Sequence, residues 1–168
     1  MDEYAIRALR DDDPEVISAA FTALGWDKPV AQYEKYLADQ RAGSRDVLVA
    51  TVADEFAGYV TVRWESPYEP FDGIPEIADF NVLPKFRRRG IGSALMDAAE
   101  ALVAARSDVV GIGVGLYADY GTAQRMYVRR GYPPDGRGLV YDGKQVPPGE
   151  LVRNDDAANL MFTKSLHG

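Results

Sequence analysis

Apolar residues recur along this chain with two alternating periods, and the switches between them mark out its elements. Tyr4 to Leu9 alternates as a short strand. From Asp13-Pro14-Glu15 the period lengthens to that of a helix, with Asp13 placed as N-cap and Pro14 at the first helical position. Val16, Ile17, Ala20, Phe21 and Leu24 then form one apolar stripe, and Gly25 ends it. A second helix is expected from Pro29 to about Ala42. Val47 to Val52 and Phe56 to Trp64 read as strands joined by a tight turn at Asp54-Glu55, with Phe56, Val60, Val62 and Trp64 on one face. A loop rich in proline and acid, Glu65 to Pro75, precedes a strand at Glu76 to Val82. A strong helix follows, carrying Ile91, Leu95, Ala98, Ala99, Leu102 and Val103 at helical spacing. Val109 to Leu116 is the next strand and Gly121 to Arg130 the next helix, stopped by Gly131. Leu139 to Tyr141 and Asn159 to Lys164 are the final strands. The order β-α-α-β-β-β-α-β-α-β-β predicts a mixed sheet with helices packed on it. With no internal repeat and no long linker, residues 1–168 read as a single domain.

Composition removes several chemistries. There is no cysteine, so disulfides, thiolate metal sites and a cysteine nucleophile are excluded, and a reducing compartment is suggested. The single histidine, His167, argues against a Ser-His-Asp triad or a multi-histidine metal centre, and no metal is expected. No apolar run approaches the roughly 20 residues that span a bilayer. The acidic start, Met1-Asp2-Glu3-Tyr4, lacks the apolar core of a signal peptide. A cytoplasmic protein without a membrane partner is the expectation. A net charge of -7 opposes nucleic acid as the main partner.

Against that acidic background one basic segment stands out. Lys85, Arg87, Arg88 and Arg89 lie just before Gly90-Ile91-Gly92-Ser93, where the strong helix begins. Glycines let a ligand approach the backbone closely, and a helix start offers unpaired N–H groups and partial positive charge. Together these suit a phosphate-bearing polyanion. A Walker A loop needs a lysine after its glycines, which Ile91-Gly92-Ser93 does not supply. A dinucleotide fingerprint counted from Gly90 or from Gly113 meets Leu95 or Ala118 where a third glycine belongs.

The same residues resemble the Arg/Gln-x-x-Gly-x-Gly/Ala signature of the GCN5-related N-acetyltransferase (GNAT) superfamily, here Arg87-Arg88-Arg89-Gly90-Ile91-Gly92. The stretch Ile77 to Pro84 is similar to that family's fourth strand, and Ala123 to Tyr132 to its second motif, a tyrosine-bearing helix ending in Gly-aromatic. The resemblance implies an α+β fold, with a mostly antiparallel mixed sheet, helices on both faces and splayed fourth and fifth strands. It also implies acetyl-CoA as co-substrate, its pantetheine arm paired with backbone near Phe80, Asn81 and Val82. The pyrophosphate would rest on Arg88, Arg89, Gly90, Ile91, Gly92 and Ser93, with Arg87, Ala123, Tyr120 and Tyr127 completing the cofactor contacts. Tyr120 stands where many members carry asparagine. A primary amine of a small molecule, peptide or protein would attack directly in a ternary complex, there being no cysteine to carry the acyl group. Tyr127 holds the position of the family's general acid, and Glu76 and Asp79 are both candidates for the base, alternation allowing one of them to face the cleft unless a bulge intervenes. Trp64, Tyr68 and Phe71, interleaved with Glu65, Glu69, Asp72, Glu76 and Asp79, raise the idea of an acidic aromatic loop for a cationic acceptor. A non-catalytic CoA-binding module of the same fold is the alternative, and a homodimer is an expectation by analogy alone.

Overall fold

The structure, a computed structural model, describes residues 3–167. Eight strands form one mixed sheet: β1 (Tyr4–Ala8), β2 (Arg45–Val52), β3 (Glu55–Arg63), β4 (Glu76–Val82), β5 (Val109–Gly115), β6 (Pro134–Tyr141), β7 (Lys144–Gln145) and β8 (Ala158–Ser165). Their order is β1-β2-β3-β4-β5-β8-β6-β7. Among the described residues, four helices accompany them: α1 (Asp13–Thr22), α2 (Val30–Ala42), α3 (Ile91–Ala104) and α4 (Gly121–Arg129). The registered neighbours run antiparallel except β4 and β5, which pair in parallel at Glu76–Gly111 and Ile77–Ile112. The predicted element order holds, with β7 added; two residues are too few to show a period. Among the described residues, no helix is long and apolar enough to cross a membrane.

Two compact units can be distinguished. The first comprises the chain up to Trp64 together with Ala78–Leu102. In it, α1 buries Pro14, Ile17, Ser18 and Phe21, a single stripe at helical spacing. Val16 and Leu24, expected in that stripe, are exposed. Val16 falls beside the stripe, and Leu24 lies beyond the helix end. The cap also shifts by one: Asp12 takes the N-cap position, and the Asp13 carboxylate turns back to accept two bonds from Arg7, at 2.6 and 2.9 Å, and one from the Arg10 N–H at 2.6 Å. Helix α2 contributes Tyr33 and Leu37, and α3 contributes Leu95, Met96 and Ala99, to the same buried set as Val47, Val49, Val60 and Val62.

The β2–β3 hairpin turns at Ala53-Asp54, one residue earlier than expected, because both adopt positive φ and suit a turn whose twist matches the strands. Further in, the register steps from Ala50–Gly58 to Thr51–Phe56, leaving Ala57 as an extra residue. That bulge corrects the expected face of β3. Phe56 lies with Tyr59 rather than with Val60, its ring 6.4 Å from Tyr59 and 6.0 Å from Phe21.

The second unit comprises Glu65–Ile77 and the chain from Val103 onward. Its organising feature is β5, where Gly111, Gly113 and Gly115 alternate with buried Val110, Ile112 and Val114. A Cβ at Gly111 would stand 2.3 Å from the Phe71 ring, at Gly113 2.7 Å from Met161 Sδ, and at Gly115 2.4 Å from the Tyr120 ring. One face of β5 is therefore bare backbone, closely covered by three large side chains. Tyr68, Phe71, Val140 and Met161 close one hydrophobic cluster, with Ile74 packed against it.

Candidate functional site

The basic segment folds as the sequence leads one to expect. Pro84–Phe86 make one 3-10 turn, and Leu83 and Phe86 are buried anchors. Lys85 pairs with Glu55 and lies 5.0 Å over the Phe86 ring, with Arg89 over the same ring at 5.5 Å. Arg88 (φ +63) and Gly90 (φ +81) are both left-handed, which brings the chain into α3 within three residues. Glycine suits the second position because a side chain there is strained whatever the space around it. The first helical bond runs from Ala94 N–H to Gly90 C=O at 3.0 Å. The amides of Ile91, Gly92 and Ser93 thus have no carbonyl four residues behind them inside the helix. Arg87, Arg88, Arg89 and Ser93 are exposed around them, Gly92 is half-buried, and Ile91, 2% exposed, points its side chain into the core and pins the first turn. Arg87 spends its Nε on the Val82 carbonyl at 3.0 Å. The structure assembles Arg87 to Ser93 into one cationic helix mouth.

On β4 the two candidate carboxylates have different surroundings. Glu76 is 5% exposed and accepts a hydrogen bond from the Ser66 hydroxyl, whose oxygen in turn takes the Tyr68 N–H at 3.1 Å. Asp79 adopts φ +54, a left-handed residue inside a strand. Its Oδ2 accepts from Tyr36 Oη (2.7 Å), Tyr59 Oη (2.7 Å) and Gln32 Nε2 (3.1 Å), and its Oδ1 from Asn81 Nδ2 (3.0 Å). Phe80, Asn81 and Val82 are half-buried. The Asn81 backbone passes so close to Gly58 that a Cβ there would stand 2.6 Å from its carbonyl oxygen. Gln32, Tyr36 and Tyr59 had escaped sequence reasoning. The four-residue spacing of Gln32 and Tyr36 puts them on one helix face, but only the fold shows what that face meets.

Helix α4 carries the remaining candidates. Tyr127 is 5% exposed, with its ring 6.0 Å from Tyr132, and Ala123 stands one turn before it, half-buried. Burial alone pushes the Tyr127 phenol well above its usual range, so it carries its proton at neutral pH. Tyr120 lies with its ring against Gly115 and donates its hydroxyl to Asp156 at 2.8 Å, the same carboxylate that Tyr117 meets.

The loop before β4 departs from expectation. Tyr68 and Phe71, offered as acceptor-facing aromatics, are 3% and 1% exposed and pack on each other at 4.8 Å. Tyr68 also donates to Asp135 at 3.0 Å, and Trp64 donates its ring N–H to Asp46 at 2.8 Å. The aromatic residues of this segment hold structure together; only Glu65, Glu69 and Asp72 of its acids are exposed.

Three buried phenols, Tyr33, Tyr59 and Tyr127, and the half-buried Tyr36 give a testable pH dependence. Burial is the first cause raising Tyr33, to about 12, and raising Tyr36, Tyr59 and Tyr127 beyond that. A phenol held neutral in the folded chain and titrating near 10 when unfolded contributes stability that is complete below pH 10 and lost as pH rises. The urea midpoint should therefore be flat from about pH 7 to 9 and fall steeply by about pH 11. Tyr33→Phe should soften that fall; an unchanged midpoint at the higher pH would count against these burial assignments.

Comparison with known proteins places these features. A family model described as the acetyltransferase (GNAT) family matches residues 6–132. The fold is similar to an N-acetyltransferase from Staphylococcus aureus Mu50, at TM-score 0.73 and 13% identity, covering 98% of this chain and 99% of that one. It is also similar to Arabidopsis thaliana NAA60 in complex with acetyl-CoA, at TM-score 0.72 and 15% identity, covering 99% and 100%. A second Arabidopsis thaliana protein, in complex with the bisubstrate analogue CoA-Ac-MVNAL, superimposes at TM-score 0.66 and 18% identity, covering 96% and 98%. No curated protein matches by sequence. The helix mouth with its arginines, the kinked strand before it and the tyrosine helix after it lie within the matched span, and the chain belongs to the acetyltransferase (GNAT) family.

Proposed function

We propose that this chain transfers an acetyl group from acetyl-CoA to a primary amine by direct attack in a ternary complex. The observation that carries the reading is the mouth of α3: amides from Ile91 to Ser93 that precede the first helical bond, with exposed Arg87, Arg88 and Arg89 beside them and left-handed Arg88 and Gly90 leading in. That donor set fits a diphosphate, since backbone N–H groups and guanidinium groups are both donors to phosphate oxygen. Among the fold neighbours, two are described with acetyl-CoA and one with a CoA-peptide analogue, which supports an acyl-CoA donor and a peptide or similar amine as acceptor.

In this reading Arg88, Arg89, Gly90, Ile91, Gly92 and Ser93 hold the pyrophosphate through backbone amides and charge, with Arg87 bracing the end of β4. Backbone from Phe80 to Val82 receives the amide-bearing arm as an added strand, and Ala123 and Tyr120 are the further residues assigned to the cofactor. Acetyl-CoA supplies a thioester, an activated acyl group with a thiolate as leaving group. The chain itself has three tasks. Tyr127, protonated and buried, donates a proton to the leaving sulfur. A backbone N–H near Asn81 or Val82 donates to the carbonyl oxygen as charge develops. A carboxylate removes the proton of the attacking ammonium through water, because an alkylammonium does not attack at neutral pH. Of the two candidates we assign this to Glu76, since the Asp79 carboxylate is engaged by four donors.

Calorimetric titration of CoA, followed by thiol release with a panel of amines and amino-terminal peptides, tests the proposal. Saturable CoA binding with amine-dependent thiol release is expected. Binding without turnover on any amine would leave a CoA-binding module, and absence of binding would end the reading. Arg88→Glu with Arg89→Glu should raise the CoA Kd by roughly 10- to 100-fold, two exposed charge reversals of ~1 kcal/mol each. Unchanged affinity would detach the arginines from the phosphate.

A further inference from the structure

Left-handed backbone inside a strand is uncommon for a residue with a Cβ, and it persists where surrounding contacts over-determine it. At Asp79 those contacts are unusually complete. Oδ2 receives three donors and Oδ1 a fourth, from α2, β3 and β4 itself. Tyr59 has one proton and gives it to Asp79, so its 3.1 Å contact with the fully buried Tyr33 must run from Tyr33 as donor. The hydroxyl protons of Tyr33, Tyr59 and Tyr36 therefore all run toward one carboxylate. The peptide before Asp79 is held as well: Thr61 Oγ1 donates to the Ala78 carbonyl at 2.7 Å and accepts from Arg45 at 2.7 Å. Arg45 also lies 4.3 Å over the Tyr36 ring, tying the two anchors together. Beyond the kink, Leu83 N–H donates to the Ala57 carbonyl at 2.8 Å, the bulged residue of β3, and Gly58 leaves room for the Asn81 carbonyl. Strand β4 is gripped before, at and after the bend.

We propose that Asp79 is a positioning residue: gripped by Tyr36, Tyr59 and Gln32, its carboxylate locks the left-handed bend of β4 and so sets where the backbone N–H groups of Phe80 to Val82 point. The inference rests on the acetyltransferase reading for its catalytic consequence, though not for the clamp itself. Three side chains remote from the signature motif thus become part of the catalytic apparatus without touching substrate. A carboxylate serving as base needs a lone pair turned to the incoming proton; here Oδ2 takes three of the protein's own donors and Oδ1 takes Asn81.

Two measurements test the two halves separately. Hydrogen exchange of the amides in residues 76–83 of the free protein reads the clamp without any substrate. The Tyr36→Phe, Tyr59→Phe double variant should exchange ~10-fold faster there than wild type, while α3 amides stay unchanged; equal exchange would overturn the clamp. Kinetics with acetyl-CoA and the best amine of the panel read its consequence. Asp79→Ala, which keeps a Cβ and loses the anchor, should lower kcat by ~100-fold, the scale of a small misplacement at a reacting centre. Asp79→Asn, which tolerates the left-handed backbone and keeps an acceptor oxygen, should stay within ~5-fold of wild type with an unchanged acid limb in its pH profile. Asp79→Gly should exceed Asp79→Ala, because glycine adopts the bend freely. If Asn, Gly and Ala are equally inactive and the acid limb disappears, Asp79 is the base and the proposal fails. Should wild type bind no CoA, the acetyltransferase reading fails, while the exchange result still decides the clamp.

Discussion

Tyr127→Phe is expected to lower kcat by ~100-fold or more while leaving the CoA Kd within about twofold. The substitution keeps the ring, its burial and its 6.0 Å approach to Tyr132, and removes a single O–H. Folding should survive, so the loss isolates proton donation to the leaving sulfur. The pH dependence has a definite sign. A general acid must be protonated to work, and burial raises this phenol, so ionisation of Tyr127 cannot cause an activity loss below pH 10. Any alkaline limb due to this residue lies above that and vanishes in the Phe variant. A variant with normal kcat but weakened CoA binding would reassign Tyr127 to the cofactor; normal values of both would make it a core residue only.

Phe71→Ala should be the most damaging substitution for stability, by roughly 3–5 kcal/mol. Phe71 is 1% exposed, lies against Gly111 where no Cβ intervenes, and meets Tyr68 edge-on at 4.8 Å. On the β5 side only backbone borders the space it would leave, while Tyr68, Val140, Met161 and Ile74 share its cluster. For a chain of this size the melting temperature should fall by roughly 6–20 °C. Glu69→Gln in the same loop is exposed and should be nearly neutral. A small effect of Phe71→Ala would mean that the segment from Glu65 to Pro75 is held by other contacts.

What the sequence disclosed and what it withheld divide along a physical line. Periodicity and punctuation are local, so α2, α3 and β4 were legible nearly to the residue, as was the left-handed stop at Gly131. The arginine-glycine mouth was legible for the same reason: its donors are contiguous. Pairing across strands was not. The bulge at Ala57 exists only relative to β2, and it moved Phe56 to the face of Tyr59. Asp79 gave no sign of its positive φ, and its clamp draws on α2 and β3, far away along the chain. Tyr68 and Phe71 looked ready to receive a cationic substrate; spacing alone does not reveal that Phe71 packs on a glycine of β5 and Tyr68 on Phe71. Gly113, considered as part of a nucleotide fingerprint, instead makes space for Met161.

A strand of alternating glycines has little claim to extended structure by itself, since each glycine forfeits more chain entropy on ordering and offers no side chain to its neighbours. Its order is lent by visitors: Phe71 from the preceding loop, Met161 from β8, Tyr120 from the turn before α4. Such a strand is ill suited to start folding and is expected to consolidate late, after those partners have arrived. Truncating any of the three should then hasten unfolding and hardly slow folding, so that the lifetime of the native chain, more than the speed of its formation, is what this bare ribbon governs.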